Sequence, residues 1–70
     1  MIILTPQAIG LALKEARRHQ GLTQEQLAAL AGVGVRFVRE VEAGKPSCHL
    51  GKVLLLLQTA GLMLRIQASP

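Results

Sequence analysis

The segment 24–43, QEQLAALAGVGVRFVREVEA, constrains the fold of this chain more than any other part of it. Ala28 is small enough for a second helix to approach the first closely, and Gly32 can take the positive φ that a tight turn requires. Apolar residues at helical spacing on both sides of the turn are predicted to fill the wedge between the two helices: Leu27, Leu30, Ala31, Val33, Val38 and Val41. The pattern predicts a helix-turn-helix motif of the DNA-binding type.

Capping residues predict the helix that precedes this motif and the start of the motif itself. Thr5 is placed as an N-cap, Pro6 suits the first helical position, and Gly21 is expected to end the helix as a left-handed cap. Thr23 and Gln26 have the spacing of a capping box, which should open the next helix. The inward stripe of the first helix is predicted to contain Ile9, Ala12, Leu13 and Ala16.

Two more helices are predicted on the C-terminal side of the turn. The third is expected over 35–43, because Gly44 and the proline that soon follows it stop a helix firmly. Its N-cap, Gly34, is a weaker choice than serine or threonine. The fourth helix is expected over 50–60, with a glycine directly after it.

The C-terminal segment 62–67, LMLRIQ, has the alternation of a β-strand, with Leu62, Leu64 and Ile66 on one face. A lone strand leaves its backbone groups unpaired, so the symmetry-related strand of a second copy is the simplest partner. The segment 1–4, MIIL, could add to the same sheet. The expected fold is therefore all-α: a compact four-helix domain spanning 1–70, with a short C-terminal strand paired across a homodimer.

The length of the chain limits the core that it can bury. A chain of 70 residues buries only about 60% of the surface that its unfolded form exposes. Half of its residues are hydrophobic, although Phe37 is the one aromatic residue. Cys48 is the one cysteine, so no internal disulfide can compensate for the small core. We therefore expect some apolar surface to be buried against a second copy. The lone thiol and the absence of a signal peptide favour the cytoplasm.

The net charge favours a polyanionic partner. Eight Lys and Arg against four Glu give +4, which a dimer would double. The longest apolar run, 53–57, is far below the roughly 20 residues that a membrane-spanning helix needs. Cys48 and His49 are adjacent, but a metal site needs about four ligands, and His19 is the one further cysteine or histidine. We predict no metal, no cofactor and no catalytic set, so an enzyme is not expected.

The outward face of the third helix carries the residues expected to reach base edges. Since the valines at 38 and 41 face the core, helical geometry turns four residues outward: Val35, Arg36, Arg39 and Glu40. The guanidinium of Arg36 can donate two parallel hydrogen bonds to guanine, worth roughly 1–3 kcal/mol of discrimination. Val35 could pack on a thymine methyl group. Arg39 and Glu40 have two equally weighted interpretations, namely DNA contacts or a solvated helical face.

Other residues are expected to hold the DNA backbone or the fold. Phosphate contacts are predicted for Thr23 and Gln24, because free N–H groups and the dipole at the start of the second helix favour an anion. Lys45, which follows the third helix, is also predicted to contact the DNA backbone. Arg17 and Glu42 are predicted to form a partly buried ion pair between the first and third helices. Its role would be structural, since removing one partner of such a pair can cost roughly 3–5 kcal/mol.

The fourth helix predicts where two copies meet. Residues 53–57 are all apolar and advance by about 100° each, so they cover the whole circumference of the helix. Val53, Leu54 and Leu57 are expected to face the chain's own core, which would leave two leucines exposed on a monomer. The predicted dimer interface therefore contains Leu55, Leu56, Leu62, Leu64 and Ile66.

The stretch 13–45, LKEARRHQGLTQEQLAALAGVGVRFVREVEAGK, resembles the XRE-type, phage-repressor-like family, and ARRHQGLTQEQLA and VEAGK are its best signatures. Within that family the chain is most similar to the short antitoxins that partner HipA-like serine/threonine kinases, because RFVREVEAGKPS precedes a leucine-rich helix and GLMLRI. The resemblance implies a repressor-like domain that dimerises partly through a shared C-terminal sheet and binds a palindromic double-stranded DNA operator. It also implies repression of its own operon and a complex with the toxin kinase.

The resemblance assigns roles by position. Gln24 matches the phosphate-contacting glutamine of the family, and Arg17 and Glu42 match its structural ion pair. The base-reading positions of the family fall on Val35, Arg36, Arg39 and Glu40.

Three functions remain open at this point. The leading hypothesis is a dimeric, operator-specific repressor that is also an antitoxin, and the first alternative is a stand-alone or prophage-type regulator without a toxin. A kinase-like toxin in the neighbouring reading frame would separate these two. The second alternative is a helical protein-interaction module without DNA binding. Two arginines on the outward face of the third helix argue against it, although Glu40 and Glu42 keep it open.

Overall fold

The structure, a computed structural model, describes residues 5–66 and residue 68. It contains four helices in this order: α1 (Pro6–His19), α2 (Gln24–Ala31), α3 (Val35–Glu42) and α4 (Leu50–Thr59). No residue in the described ranges belongs to a β-strand. The predicted all-α fold of four helices is confirmed, and each helix lies close to its expected place.

The predicted capping residues begin the first two helices. Thr5 Oγ1 accepts a hydrogen bond from the backbone N–H of Ala8 at 3.1 Å. Thr23 Oγ1 accepts one from the backbone N–H of Gln26 at 3.0 Å, and the Gln26 side chain accepts one from the backbone N–H of Thr23 at 2.8 Å. Gly32 ends α2 with φ 71°, as the turn requires. These contacts set where α2 starts and how sharply the chain turns toward α3.

A histidine caps α4, a role not expected from the sequence. His49 Nδ1 accepts a hydrogen bond from the backbone N–H of Lys52 at 3.2 Å. The imidazole thus satisfies one of the N–H groups that have no partner within the helix. This contact sets the start of α4 after the loop that leaves α3.

The core is aliphatic and draws on all four helices. Its buried apolar residues are Leu13, Leu27, Ala28, Ala31, Val38, Val41, Val53, Leu56, Leu57 and Ala60. One wedge residue of the motif was predicted wrongly, because Leu30 is 66% exposed. The buried face of α2 is centred between Leu27 and Ala28, and helical rotation places Leu30 roughly 100° away from that centre.

The apolar run of α4 packs in a different register from the predicted one. Val53, Leu56, Leu57 and Ala60 are buried, at the i, i+3, i+4, i+7 spacing of one helix face. Leu56 is 0% exposed and belongs to the chain's own core, so its assignment to the dimer interface was wrong. Leu54, expected in the core, is instead 36% exposed at the rim of this face, and Leu55 on the opposite face is 45% exposed.

Gly10 lets α1 and α3 approach closely, which was not predicted. A Cβ built on this buried glycine would lie 2.3 Å from the carbonyl oxygen of Val41 and 2.8 Å from that of Glu42. Both atoms belong to the backbone of α3, so no side-chain rotation can relieve the clash. Gly10 therefore sets the distance between the helix that carries Arg17 and the helix that carries Glu42.

The chain after α4 has no regular structure in the described residues 62–66. Leu64 is 40% exposed and Ile66 is 97% exposed, whereas Leu62 packs against the core. The predicted strand requires a second copy for its hydrogen bonds, so it stays a prediction, and its last residue, Gln67, lies outside the described residues. The segment 1–4 also lies outside them. Among the described helices, none has the length and hydropathy needed to span a bilayer.

Candidate nucleic-acid interface

Helix α3 turns Arg36, Arg39 and Glu40 away from the core, whereas Val35, predicted to face outward as well, lies at the edge of that side against the core. We use the term reading face for these residues of α3: Val35, Arg36, Arg39 and Glu40. Val38 and Val41 anchor the opposite side of α3 in the core. Arg36 projects furthest, with 89% of its side chain exposed, whereas Val35 is half-buried and packs against the core. The first turn of α3 thus presents a guanidinium to solvent.

Glu40 lies between two cations of this surface. Its carboxylate pairs with Arg36 across one helical turn, at 3.5 Å from Nε, and also with Lys45 Nζ just after α3. The hydrogen bond from Lys45 holds the pKa of Glu40 below its ordinary value, against the opposing effect of desolvation. Glu40 is therefore an anion that neutralises part of the positive charge of Arg36 and Lys45.

Arg39 contacts the beginning of α2 instead of its own helix. Its Nε donates to Gln24 Oε1 at 3.3 Å, and its Nη2 donates to Glu25 Oε1 at 3.0 Å. Both side chains of the ion pair remain open to solvent, with 57% of Arg39 and 63% of Glu25 exposed. The contact with Glu25 was not predicted. A signal for it existed, because Glu25 is adjacent to Gln24 and the start of α2 must lie beside α3 in this motif.

Gln24 links the reading face to a buried ion pair. While its Oε1 accepts from Arg39, its Nε2 donates to Glu42 Oε1 at 3.1 Å. Glu42 in turn receives two hydrogen bonds from Arg17, at 2.7 Å from Nε and 3.0 Å from Nη2. A polar network therefore runs from α1 through the end of α3 and the start of α2 to the outward side of α3.

The ion pair of Arg17 and Glu42 is the one that the sequence predicts. It is almost fully buried, and Arg17 Nη1 also donates to the carbonyl oxygen of Leu22 at 2.8 Å. Desolvation raises the pKa of Glu42, but the hydrogen bonds from Arg17 and Gln24 outweigh it, and the net pKa lies below the ordinary value. Glu42 is consequently charged at neutral pH, and the pair ties α1 to α3.

The three predicted phosphate contacts lie around the same surface. Thr23 is exposed at the cap of α2, Gln24 is half-buried at its first residue, and Lys45 is exposed just after α3. The Thr23 hydroxyl oxygen serves as the cap acceptor, so its own O–H remains available as a donor. Among the described residues, no three His, Cys, Asp or Glu side chains lie close enough together to hold a metal ion.

Comparison with known proteins identifies the family. The family model described as Helix-turn-helix matches residues 13–62, from the middle of α1 through all of α2, α3 and α4. The chain belongs to the helix-turn-helix family. This helix-turn-helix chain is also 48% identical over 66 residues to the "Uncharacterized HTH-type transcriptional regulator y4mF" of Sinorhizobium fredii (strain NBRC 101917 / NGR234), a match that covers 94% of the chain and 87% of the relative.

Solved structures share the fold of the helix-turn-helix chain. A chain from the structure of a HipA–HipB–O2–O3 complex superposes with a TM-score of 0.89 at 23% identity, covering 100% of this chain and 99% of the other. A chain from a HipB–O4 20mer complex gives the same TM-score, identity and coverage. The resemblance to the XRE-type family is thereby confirmed, the likeness to HipB chains is one of fold, and the protein is a DNA-binding transcriptional regulator.

Proposed function

We propose that the chain is a homodimeric, operator-specific transcriptional repressor that reads DNA with the outward side of α3. The observation that carries the proposal is the placement of Arg36, with 89% of its side chain exposed at the first turn of the second motif helix. In a helix-turn-helix protein this turn enters the major groove. A guanidinium there can donate two parallel hydrogen bonds to guanine, whereas Val35 beside it can contact a thymine methyl group.

The test of base reading is Arg36→Ala, with Arg18→Ala as the matched control. Arg18 is an exposed arginine in the last turn of α1, outside the motif, so its loss changes the net charge equally. Arg36→Ala should lower the affinity for operator DNA relative to scrambled DNA by about 5- to 150-fold, the equivalent of roughly 1–3 kcal/mol. Arg18→Ala should leave that ratio unchanged. An unaltered ratio for Arg36→Ala would remove Arg36 from the reading set.

The phosphate contacts proposed for Thr23, Gln24 and Lys45 predict a different signature. Phosphate contacts carry no sequence information, so Gln24→Ala should weaken binding to scrambled DNA as well as to operator DNA. Lys45→Gln should in addition lower the salt dependence of binding by about one ion. A loss confined to operator DNA would contradict the phosphate role of Gln24.

The proposed dimer uses the apolar surface around α4 and the segment that follows it. Leu55, Leu64 and Ile66 are exposed on a single chain, and Leu62 is half-buried. Large apolar side chains exposed to water favour burial against another surface. The double variant L55K/I66K should sediment as a monomer, whereas Leu11→Lys, an exposed leucine of α1, should leave the dimer intact. A dimer that survives L55K/I66K would move the interface elsewhere.

A homodimer would present two copies of the reading face related by a twofold axis. The operator is then expected to be palindromic, with half-sites separated by one helical turn of DNA, about 34–36 Å, or by a multiple of it. Footprinting of the purified protein on DNA selected from a random library tests this geometry. A footprint without a dyad would count against it.

We further propose that the chain is the antitoxin of an operon that it represses, and that it holds a HipA-like kinase in complex. The support is the shared fold with a chain from a HipA–HipB–O2–O3 complex. Co-expression with the product of the adjacent reading frame should give a stable complex and relieve the toxicity of that product. A neighbouring gene without a kinase-like product, or no complex, would favour the alternative of a stand-alone regulator.

A further inference from the structure

Glu25 is an acidic residue at the edge of a surface proposed to bind a polyanion, and its partner is an arginine of the reading face. The Oε1 atom of Glu25 lies 3.0 Å from Arg39 Nη2, and Gln24 Oε1 lies 3.3 Å from Arg39 Nε. The Nε and Nη2 donors form one edge of the planar guanidinium. Two residues of α2 therefore accept hydrogen bonds from one edge of the Arg39 guanidinium, at ordinary hydrogen-bond distances.

The other edge of the guanidinium stays available. An arginine has five N–H donors, and the two contacts to α2 use one on Nε and one on Nη2. Two donors on Nη1 and one on Nη2 remain, and they lie along the end of the group. That end can donate two parallel hydrogen bonds, the arrangement that recognises O6 and N7 of guanine.

The position of Gln24 is itself determined by buried groups. Its amide nitrogen donates to Glu42, and Glu42 is held by Arg17 in the buried ion pair. Arg39 is thus held by two acceptors: Gln24, which is itself fixed by Glu42, and the charged carboxylate of Glu25. An arginine held in this way loses less side-chain freedom when it meets a base.

The charge of Glu25 acts differently on the two kinds of DNA contact. A phosphate brought close to Arg39 would also approach the Glu25 carboxylate and be repelled by it. A guanine edge carries no net charge, so the carboxylate orients Arg39 toward it without that repulsion. We propose that Glu25 is a positioning residue that makes Arg39 selective for a base over the DNA backbone, an inference that rests on the proposed DNA-binding function.

The test uses Glu25→Gln, with Glu15→Gln as its matched control. Both variants remove one negative charge from an exposed side chain, but Glu15 lies on α1, outside α2 and the reading face. The probes are the duplex that the wild-type protein selects from a random-sequence library and a scrambled duplex of the same composition. Affinities are measured for both duplexes over a range of salt concentrations.

We expect Glu25→Gln to lower the ratio of selected to scrambled affinity at least about threefold beyond any change in Glu15→Gln, by strengthening binding to scrambled DNA. Selection with Glu25→Gln should lose base preference at a position where Arg39→Met also loses it. In the Arg39→Met background, Glu25→Gln should behave like Glu15→Gln. These readouts follow Arg39 and would not respond to a merely structural role of Glu25.

Equal ratios for Glu25→Gln and Glu15→Gln would overturn the inference, as would an undiminished effect of Glu25→Gln in the Arg39→Met background. Either result leaves the proposed repressor function intact, provided that the wild-type protein prefers its selected duplex. A wild-type protein without any such preference would overturn both. Far-UV circular dichroism confirms that each variant is folded before binding is measured.

Discussion

Removing one partner of the ion pair between Arg17 and Glu42 should cost this chain a large share of its free energy of unfolding. Arg17 is buried, and two of its three side-chain hydrogen bonds go to Glu42. Glu42→Leu would leave a buried guanidinium without its counter-ion, which costs about 3–5 kcal/mol. Folded chains of this size have a free energy of unfolding of only about 3.5–10 kcal/mol, at roughly 0.05–0.15 kcal/mol per residue. The single variant should therefore lose between about a third and all of that free energy.

The double variant Arg17→Met/Glu42→Leu should be more stable than either single variant. It removes both charges together, and its main remaining cost is the Leu22 carbonyl oxygen, which loses the hydrogen bond from Arg17 Nη1. An acceptor left without a partner costs about 1–3 kcal/mol. The two single variants together should lose about 6–10 kcal/mol, and the double variant only about 1–3 kcal/mol. The difference is a coupling free energy of at least about 3 kcal/mol.

Urea denaturation followed by far-UV circular dichroism measures these free energies, at one fixed protein concentration because any dimer makes stability depend on it. The exposed pair of Arg39 and Glu25 provides the control, since Glu25→Leu should change stability by less than about 1 kcal/mol. The coupling would be refuted if the double variant lost as much free energy of unfolding as the two single variants together, within about 0.5 kcal/mol. DNA binding by Glu42→Leu should fall at least in proportion to the unfolded fraction, because Glu42 also holds the amide of Gln24.

Three other perturbations test the same structure. Gly10→Ala should destabilise the chain by about 1–3 kcal/mol or more in urea, because its Cβ meets the backbone of α3; an unchanged midpoint would contradict that contact. Folding lowers the pKa of Glu42, so the contribution of its charge to the free energy of unfolding is present above its unfolded pKa of about 4.3 and is lost as pH falls through the lower folded pKa. Glu42→Gln should therefore reduce the loss of stability at acid pH. An unchanged loss in that variant would exclude Glu42 as its source. His49→Asp should raise the thermal midpoint by a few degrees, because a carboxylate caps a helix N-terminus well; a lower midpoint would show that the imidazole packs as well as caps.

The local features of this chain follow from short-range rules, and these were predictable. The capping box of Thr23 and Gln26 and the positive φ of Gly32 depend on residues a few positions apart, so the helix boundaries could be stated from the sequence. The pair of Arg17 and Glu42 was also predicted, from their places near the ends of two helices. The family resemblance rested on the same segment, 13–45.

Where the sequence offers several equivalent choices, the tertiary structure decided between them. Five apolar residues in a row at 53–57 allow more than one buried face, and only the packing of α4 against the other helices selected Leu56 over Leu54. Gly10 gave no local signal, because its role depends on the backbone of α3 passing over it. The contact of Glu25 with Arg39 likewise joins residues on different helices, and their distance is set by the angle between α2 and α3. Helix caps and the backbone hydrogen bonds within a helix join residues a few positions apart, whereas the rotation and spacing of helices are properties of the packed core.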